Sequence, residues 1–279
     1  MSTKKVWFVT GASKGLGLTL VKKLLAEGYS VAATSRNVSE LEKVISAENS
    51  DFLPLEVDLV NENSVSEAIS KTVEKFGKLD VIVNNAGYGQ LGTLEELTDK
   101  ESRQNFDTNV FGSLNIIRKS MPYLRAQKNG LVINIASIGG LSGDFPGWGI
   151  YCATKFAVVG FTEALAAEAK EFGVNATVVY PGYFRTDFLT GGSLRTPENE
   201  IDAYATARQI QKAHEQDING NQPGDPEKAA VALLELVAME NPPVHLVLGS
   251  DAFQMATNKL STLQNEISDF KTLSISTDY

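Results

Sequence analysis

Seven short apolar runs rich in β-branched residues recur between Val6 and Val247, and a longer stretch with helical periodicity follows each of the first six. Strands that are apolar throughout must be covered on both faces, and a parallel sheet wrapped by crossover helices provides that cover. The strands are expected at residues 6–10, 30–34, 52–56, 81–84, 131–135, 176–180 and 245–248. Helices are expected near 16–27, 39–47, 64–76, 100–126, 151–172 and 226–240. The expected fold class is therefore α/β, a doubly wound seven-stranded parallel sheet flanked by helices.

A chain of 279 residues with 43% hydrophobic content can fill one large core, so residues 1–279 are expected to form one domain. Two regions break the rhythm. Residues 187–225 open near Thr190-Gly191-Gly192 and close with Gln222-Pro223-Gly224-Asp225-Pro226, and are expected to act as a substrate lid. In the tail, residues 252–279, Ala256, Leu260, Leu263, Ile267 and Phe270 recur at helical spacing, so an extra amphipathic helix is expected to dock on the body.

A net charge of −9 argues against a nucleic-acid footprint or an anionic membrane surface. No run approaches the roughly 18 uninterrupted apolar residues of a membrane span, and residues 1–10 lead into a strand without a cleavage pattern, so a soluble, cytoplasmic protein is expected. One cysteine, Cys152, excludes an internal disulfide and reads as a small packed thiol. His214 and His245, read as a surface residue and a strand-end residue, do not make a metal-ligand set, so no metal is expected.

Two motifs carry chemistry. Tyr151 and Lys155 stand four residues apart, one turn on one helix face, where an ammonium is expected to lower the phenol pKa and make a proton-transfer group. Gly11, Ser13, Lys14, Gly15, Leu16 and Gly17 join the first strand to a helix, the setting in which backbone amides and a helix N-terminus receive a pyrophosphate. After the second strand stand Arg36 and Asn37, with no carboxylate among Thr34, Ser35, Arg36 and Asn37. Arg36 and Lys14 suit a 2′-phosphate, so NADP(H) is expected over NAD(H). Asp58 and Leu59, and Asn84 to Gly87, stand at further carboxyl ends of strands, where open α/β sheets bind ligands.

With Asn109, Ser137 and Pro181-Gly182 added in order, the chain resembles the classical short-chain dehydrogenase/reductase family. The resemblance implies a Rossmann-type fold in which Asp58 reaches the adenine and Asn85, Ala86 and Gly87 line the adenosine side. It also implies a catalytic tetrad of Asn109, Ser137, Tyr151 and Lys155. Tyr151 would protonate the carbonyl oxygen as hydride arrives, and Ser137 would hydrogen-bond that oxygen. Lys155 would hold the nicotinamide ribose, and Asn109 would tie a water to Lys155. Pro181, Gly182, Phe184 and Thr186 would hold the nicotinamide carboxamide. The substrate would face Gly139, Gly140, Leu141, Phe145, Trp148 and Tyr183, which suits a small or medium apolar ketone or aldehyde.

The long 187–225 segment and the extra tail helix depart from the family's compact ending and look nearer its hydroxysteroid and retinol dehydrogenase branch. A homodimer through the helices near Phe106 and Tyr151 is expected, with monomer and tetramer as alternatives. The expected activity is NADPH-dependent reduction of a ketone or aldehyde, reversible in principle; the alternative is an NADP(H)-binding redox sensor or scaffold without turnover.

Overall fold

A computed structural model describes residues 4–45, 49–190 and 192–279. Its strands are β1 (Val6–Val9), β2 (Ser30–Ser35), β3 (Phe52–Glu56), β4 (Val81–Asn84), β5 (Gly89–Gln90), β6 (Gly130–Ile135), β7 (Val174–Pro181), β8 (Leu194–Arg195) and β9 (His245–Leu248). Seven of them form one parallel sheet in the order β3-β2-β1-β4-β6-β7-β9. The fold is a single-domain Rossmann-type α/β sandwich, and the strand order reverses beside β1, where β2 and β4 flank it.

Period-two alternation assigns each strand residue to one of two cores. Trp7 and Val9 face one layer with Leu20, Leu24, Leu233 and Leu236; Phe8 faces the other with Val65, Ile69, Ile116 and Leu165. The first layer is built by α1 (Gly15–Ala26), which packs against the later helix α8 (Pro226–Ala238). Next come α2 (Val38–Val44) and α3 (Glu62–Phe76), each started by an asparagine, Asn37 and Asn61, whose side chain accepts from first-turn amides. The expected end of the second helix, at Ala47, lies outside the described residues.

The long helix expected at 100–126 is three pieces: α4 (Asp99–Phe106), a π-helical turn Asp107–Phe111, and α5 (Gly112–Gln127). A wider turn at that point re-aims its side chains, and Asn109 sits inside it. α6 (Gly149–Ala169) carries Tyr151 and Lys155. The continuous helical stretch Gly149–Phe172 is long and apolar enough to cross a membrane by composition. Here its Val158 and Leu165 are buried and the helix packs along β7, as a core helix of such a sheet must.

The 187–225 segment is fastened to the body rather than loose. β5 and β8 form a small parallel pair, which the sequence pattern did not disclose. α7 (Ala205–Lys212) is tied down by Arg208, which pairs at 2.7 Å with the fully covered carboxylate of Glu96. The segment's far end returns to β7 through Arg185, whose amide donates to the Gly224 carbonyl at 2.9 Å. α8 (Pro226–Ala238) follows, capped by Asp225.

The tail corrects one expectation. α9 (Ser250–Asp269) and α10 (Lys271–Ile275) form, but docking is confined to the first turns, where Ala252 and Ala256 are buried. The rest of the expected stripe, Leu260, Leu263, Ile267 and Phe270, is exposed. The periodicity specified a helix; it did not supply a surface to cover it.

Candidate active site

A cavity of about 800 Å³ opens along the carboxyl ends of β1 to β7. Its long arm is the glycine turn. Gly11 has φ +64°, and a Cβ there would lie 2.7 Å from Ala86 Cα, so the turn and the segment after β4 touch without side chains between them. Asn85 locks the contact: its Nδ2 donates to the carbonyls of Thr10 at 2.9 Å and Gly11 at 3.0 Å. Thr10 Oγ1 in turn accepts from the amides of Asn85 and Ala86. Among the described residues no side chain caps the N-terminus of α1, so its first amides are available to an anion.

Of the cofactor residues expected, Gly11, Ser13, Lys14, Gly15, Leu16, Arg36, Asn37, Asp58, Leu59, Asn85, Ala86, Gly87, Pro181, Gly182, Phe184 and Thr186 all line this cavity, as do Tyr151 and Lys155. Gly17 does not. A Cβ on it would meet Asn85 Nδ2 and the Gly11 carbonyl, both at 2.5 Å, so its task is close helix-to-turn packing. Arg36 is exposed at the rim, and Asn37 spends its side chain on Ser39 as the cap of α2. A carboxylate does line this end: Glu40, in the first turn of α2.

At the other end Ser137, after β6, and Tyr151 meet. Lys155, 5% exposed, donates to the Ile135 carbonyl at 2.9 Å and lies 5.8 Å from the centre of the Tyr151 ring. Asn109 does not line the cavity. Its Nδ2 donates to the Tyr88 carbonyl at 3.1 Å and to Thr154 Oγ1 at 3.0 Å, while its Oδ1 accepts from the Tyr88 amide at 3.0 Å. The Asn109 side chain therefore staples α6 and the segment after β4 together, and its amide is spent there rather than on Lys155.

The electrostatics correct the expected direction for the phenol. Burial pushes Tyr151 well above the ordinary tyrosine range, and the hydroxyl of Ser137 pulls back only in part. Burial also lowers Lys155 to about 8. Desolvation thus sets the direction for both groups, and the lysine donates to a backbone carbonyl. Cys152 is a packed thiol, as expected, and burial pushes it up to about 11.

The other arm is lined by Gly139, Phe145, Trp148 and Tyr183, four of the residues expected to face substrate. Leu141 does not reach it; it packs instead beside Ala136, Ile138, Val158 and the buried start of α9. Gly140 is also displaced from the wall, because a Cβ there would meet the Lys155 carbonyl at 2.8 Å. His214 is the main residue missed. It is 6% exposed, not a surface residue, and lies in a second π-helical turn, Ala213–Ile218. Its ring stands 5.0 Å from Trp148 and 5.7 Å from Tyr183. Trp148 in turn meets Tyr151 edge-on at 5.4 Å. Residues 187–225 also contribute Phe188, Leu189, Arg195 and Gln222 to the wall.

A nucleotide arm and a phenol–serine–lysine arm on one such sheet define a class of oxidoreductase. The chain matches the short chain dehydrogenase family over residues 5–194, and it belongs to that family. It is 36% identical over 248 residues to a 3-ketodihydrosphingosine reductase from Bacteroides thetaiotaomicron, covering 88% of each chain. Its fold is similar to a short-chain dehydrogenase from Streptomyces avermitilis (TM-score 0.88, 34% identity, 98% of this chain and 100% of that one). It is also similar to ElxO, solved with NADP bound (TM-score 0.73, 27% identity, 90% and 99%). A further similar structure, a short chain dehydrogenase/reductase from Burkholderia phymatum, was solved with NAD (TM-score 0.78, 25% identity, 96% and 95%).

Proposed function

We propose that this oxidoreductase uses NADPH to reduce a ketone or aldehyde to an alcohol, with Tyr151 as the proton donor. The observation that carries the reading is the meeting of Tyr151 and Ser137 at one point of the cavity wall, above a buried Lys155. The glycine cradle, the uncapped start of α1 and the residues after β4 and β7 fit a dinucleotide. When bound, its reduced nicotinamide supplies hydride. A phenol held above its ordinary range keeps its proton at neutral pH, which suits an acid in the reducing direction. Ser137 donates to the same carbonyl oxygen and stabilises the charge that grows there. Lys155, lowered to about 8, is still mainly charged at neutral pH and would hold the ribose hydroxyls.

Arg36 and Lys14 support a 2′-phosphate over a free ribose hydroxyl, although Glu40 stands nearby. A keto group in the name of the Bacteroides relative supports the carbonyl class. The complete set Asn109, Ser137, Tyr151 and Lys155 supports turnover over a sensor role. We read residues 187–225 as the substrate lid, and the longer lid and tail as features shared with hydroxysteroid and retinol dehydrogenases. A homodimer through the helices beginning near Phe106 and Tyr151, with monomer and tetramer as the alternatives, belongs to the same reading, supported by the exposed rings of Phe111 and Phe156.

The test is loss of reduced-nicotinamide absorbance with NADPH and a panel of apolar ketones and aldehydes. Carbonyl-dependent oxidation supports the reductase; tight NADPH binding with silence across the panel supports the sensor.

A further inference from the structure

The substrate arm contains a hydrogen-bonded pair whose direction the structure fixes. His214 Nδ1 lies 2.8 Å from the Ile210 carbonyl, which can only accept, so Nδ1 carries a proton. Burial lowers the His214 pKa, which keeps the ring neutral, and a neutral imidazole protonated at Nδ1 has an Nε2 that can only accept. Nε2 lies 2.9 Å from the Tyr183 hydroxyl. Tyr183 must therefore donate to His214, and its oxygen is left with lone pairs and no proton to give.

The backbone that carries Tyr183 is pinned. Its amide donates to the Asp251 carboxylate at 2.7 Å, and its carbonyl accepts from the Gly224 amide at 2.9 Å, so both sides of its backbone are held. Its ring and that of His214 both line the cavity, near Tyr151 and Cys152. The same wall carries three aromatic rings, Phe145, Trp148 and Phe188, and the side chain of Gln222, whose buried Oε1 has no hydrogen-bond partner among the described residues. A buried acceptor with no proton to give discriminates between ligands, because a ligand that sets a second acceptor against it leaves two lone pairs facing each other.

We propose that Tyr183, with its proton committed to His214, selects substrates that carry a hydrogen-bond donor, a hydroxyl or an N–H, apart from the reacting carbonyl. The proposal rests on the carbonyl-reductase reading and names its substrate class: an apolar or aromatic ketone or aldehyde with a free hydroxyl or N–H group. The Tyr183–His214 pair sets specificity and takes no part in the proton transfer itself. The lid earns a chemical role this way, since His214 arrives on it from a different part of the chain than Tyr183.

Two matched pairs of probes test this: para-hydroxyacetophenone against para-methoxyacetophenone, and para-hydroxybenzylacetone against its methyl ether. Binding is measured by calorimetry to protein saturated with oxidised NADP, which cannot reduce a ketone, so affinity is read without turnover. In at least one pair the hydroxyl compound should bind about tenfold tighter, the worth of one hydrogen bond in such a site. Tyr183→Phe, which keeps the ring, should erase the difference. His214→Phe should also erase it, because it frees the Tyr183 proton to donate and lets the ether bind. Absence of discrimination in both pairs, whether the compounds bind equally or not at all, overturns the proposal, as does discrimination that survives in Tyr183→Phe. Oxidation of NADPH by the same ketones is read separately: turnover without discrimination leaves the reductase standing and removes the selector, and discrimination without turnover does the reverse.

Discussion

Lys155 lies one helical turn from Tyr151 on α6, yet its ammonium donates to the Ile135 carbonyl at 2.9 Å and sits 5.8 Å from the tyrosine ring centre. The same burial drives the two groups in opposite directions, the phenol up and the ammonium down, because it penalises the charged form of each. Catalytic poise at this site is therefore set against desolvation, and stability should register the conflict.

That conflict has a sign. Lys155 falls from 10.5 to about 8 on folding, so between these values the unfolded chain binds a proton that the folded one does not. Its contribution to stability is fully present above pH 10.5 and is lost as pH falls through about 8. Lys155→Met removes this dependence. Relative to the parent, the variant should gain stability as pH falls from 10 towards 7, by about 3 kcal/mol at most from the size of the shift. Denaturant unfolding of both proteins without cofactor measures the difference; a difference independent of pH across that window would contradict the assignment.

Arg36 governs cofactor choice in this account. Arg36→Asp should weaken NADPH binding by about ten- to a hundredfold, the range expected for losing a charge-assisted contact and gaining a repulsion. NADH, without the 2′-phosphate, should be little affected. Fluorescence titration with both nucleotides checks this, and equal loss for both would assign Arg36 to folding or to the shared part of the dinucleotide.

The tail predicts a different kind of outcome. Every residue from 261 to 279 is exposed, so its removal takes away no buried contact of the single chain. Truncation after Leu260 should shift the thermal midpoint by no more than about 1–2 °C. A larger fall, or a midpoint that depends on protein concentration in the full chain alone, would mean that the Leu263, Ile267 and Phe270 stripe is covered by another molecule.

The parts of the site legible in the sequence are those written in short local spacing. Gly11 to Gly17, Asn85 to Gly87 and Tyr151 to Lys155 each hold their residues within about two helical turns, so covalent geometry alone brings them together. The central strands were legible because burial on both faces keeps their runs mainly apolar, while β3 and β9, at the two edges of the sheet, are only partly buried and were legible from their short apolar runs. His214 was not, because its π-helical turn carries no hydrophobic period and its partner Tyr183 comes from the end of β7. The π turn at Asn109 was hidden for the reverse reason: the pattern from Lys100 to Ala126 reads as one uniform helix, and the extra backbone residue leaves no compositional mark. Leu141 was misassigned because proximity in sequence to Ser137 does not say which face of the turn it takes. The phenol shift was missed because spacing reveals a neighbouring charge and says nothing about burial.

The central claim is that Tyr151 supplies the proton for carbonyl reduction. Tyr151→Phe retains the ring and its packing on Trp148 while removing the hydroxyl. The measurement is NADPH oxidation with a ketone that the parent turns over, run beside NADPH binding for both proteins. The account predicts a rate lower by about 10²–10⁴-fold with cofactor affinity unchanged, the range for a positioned general acid. A variant that reduces the ketone at the parental rate would contradict it.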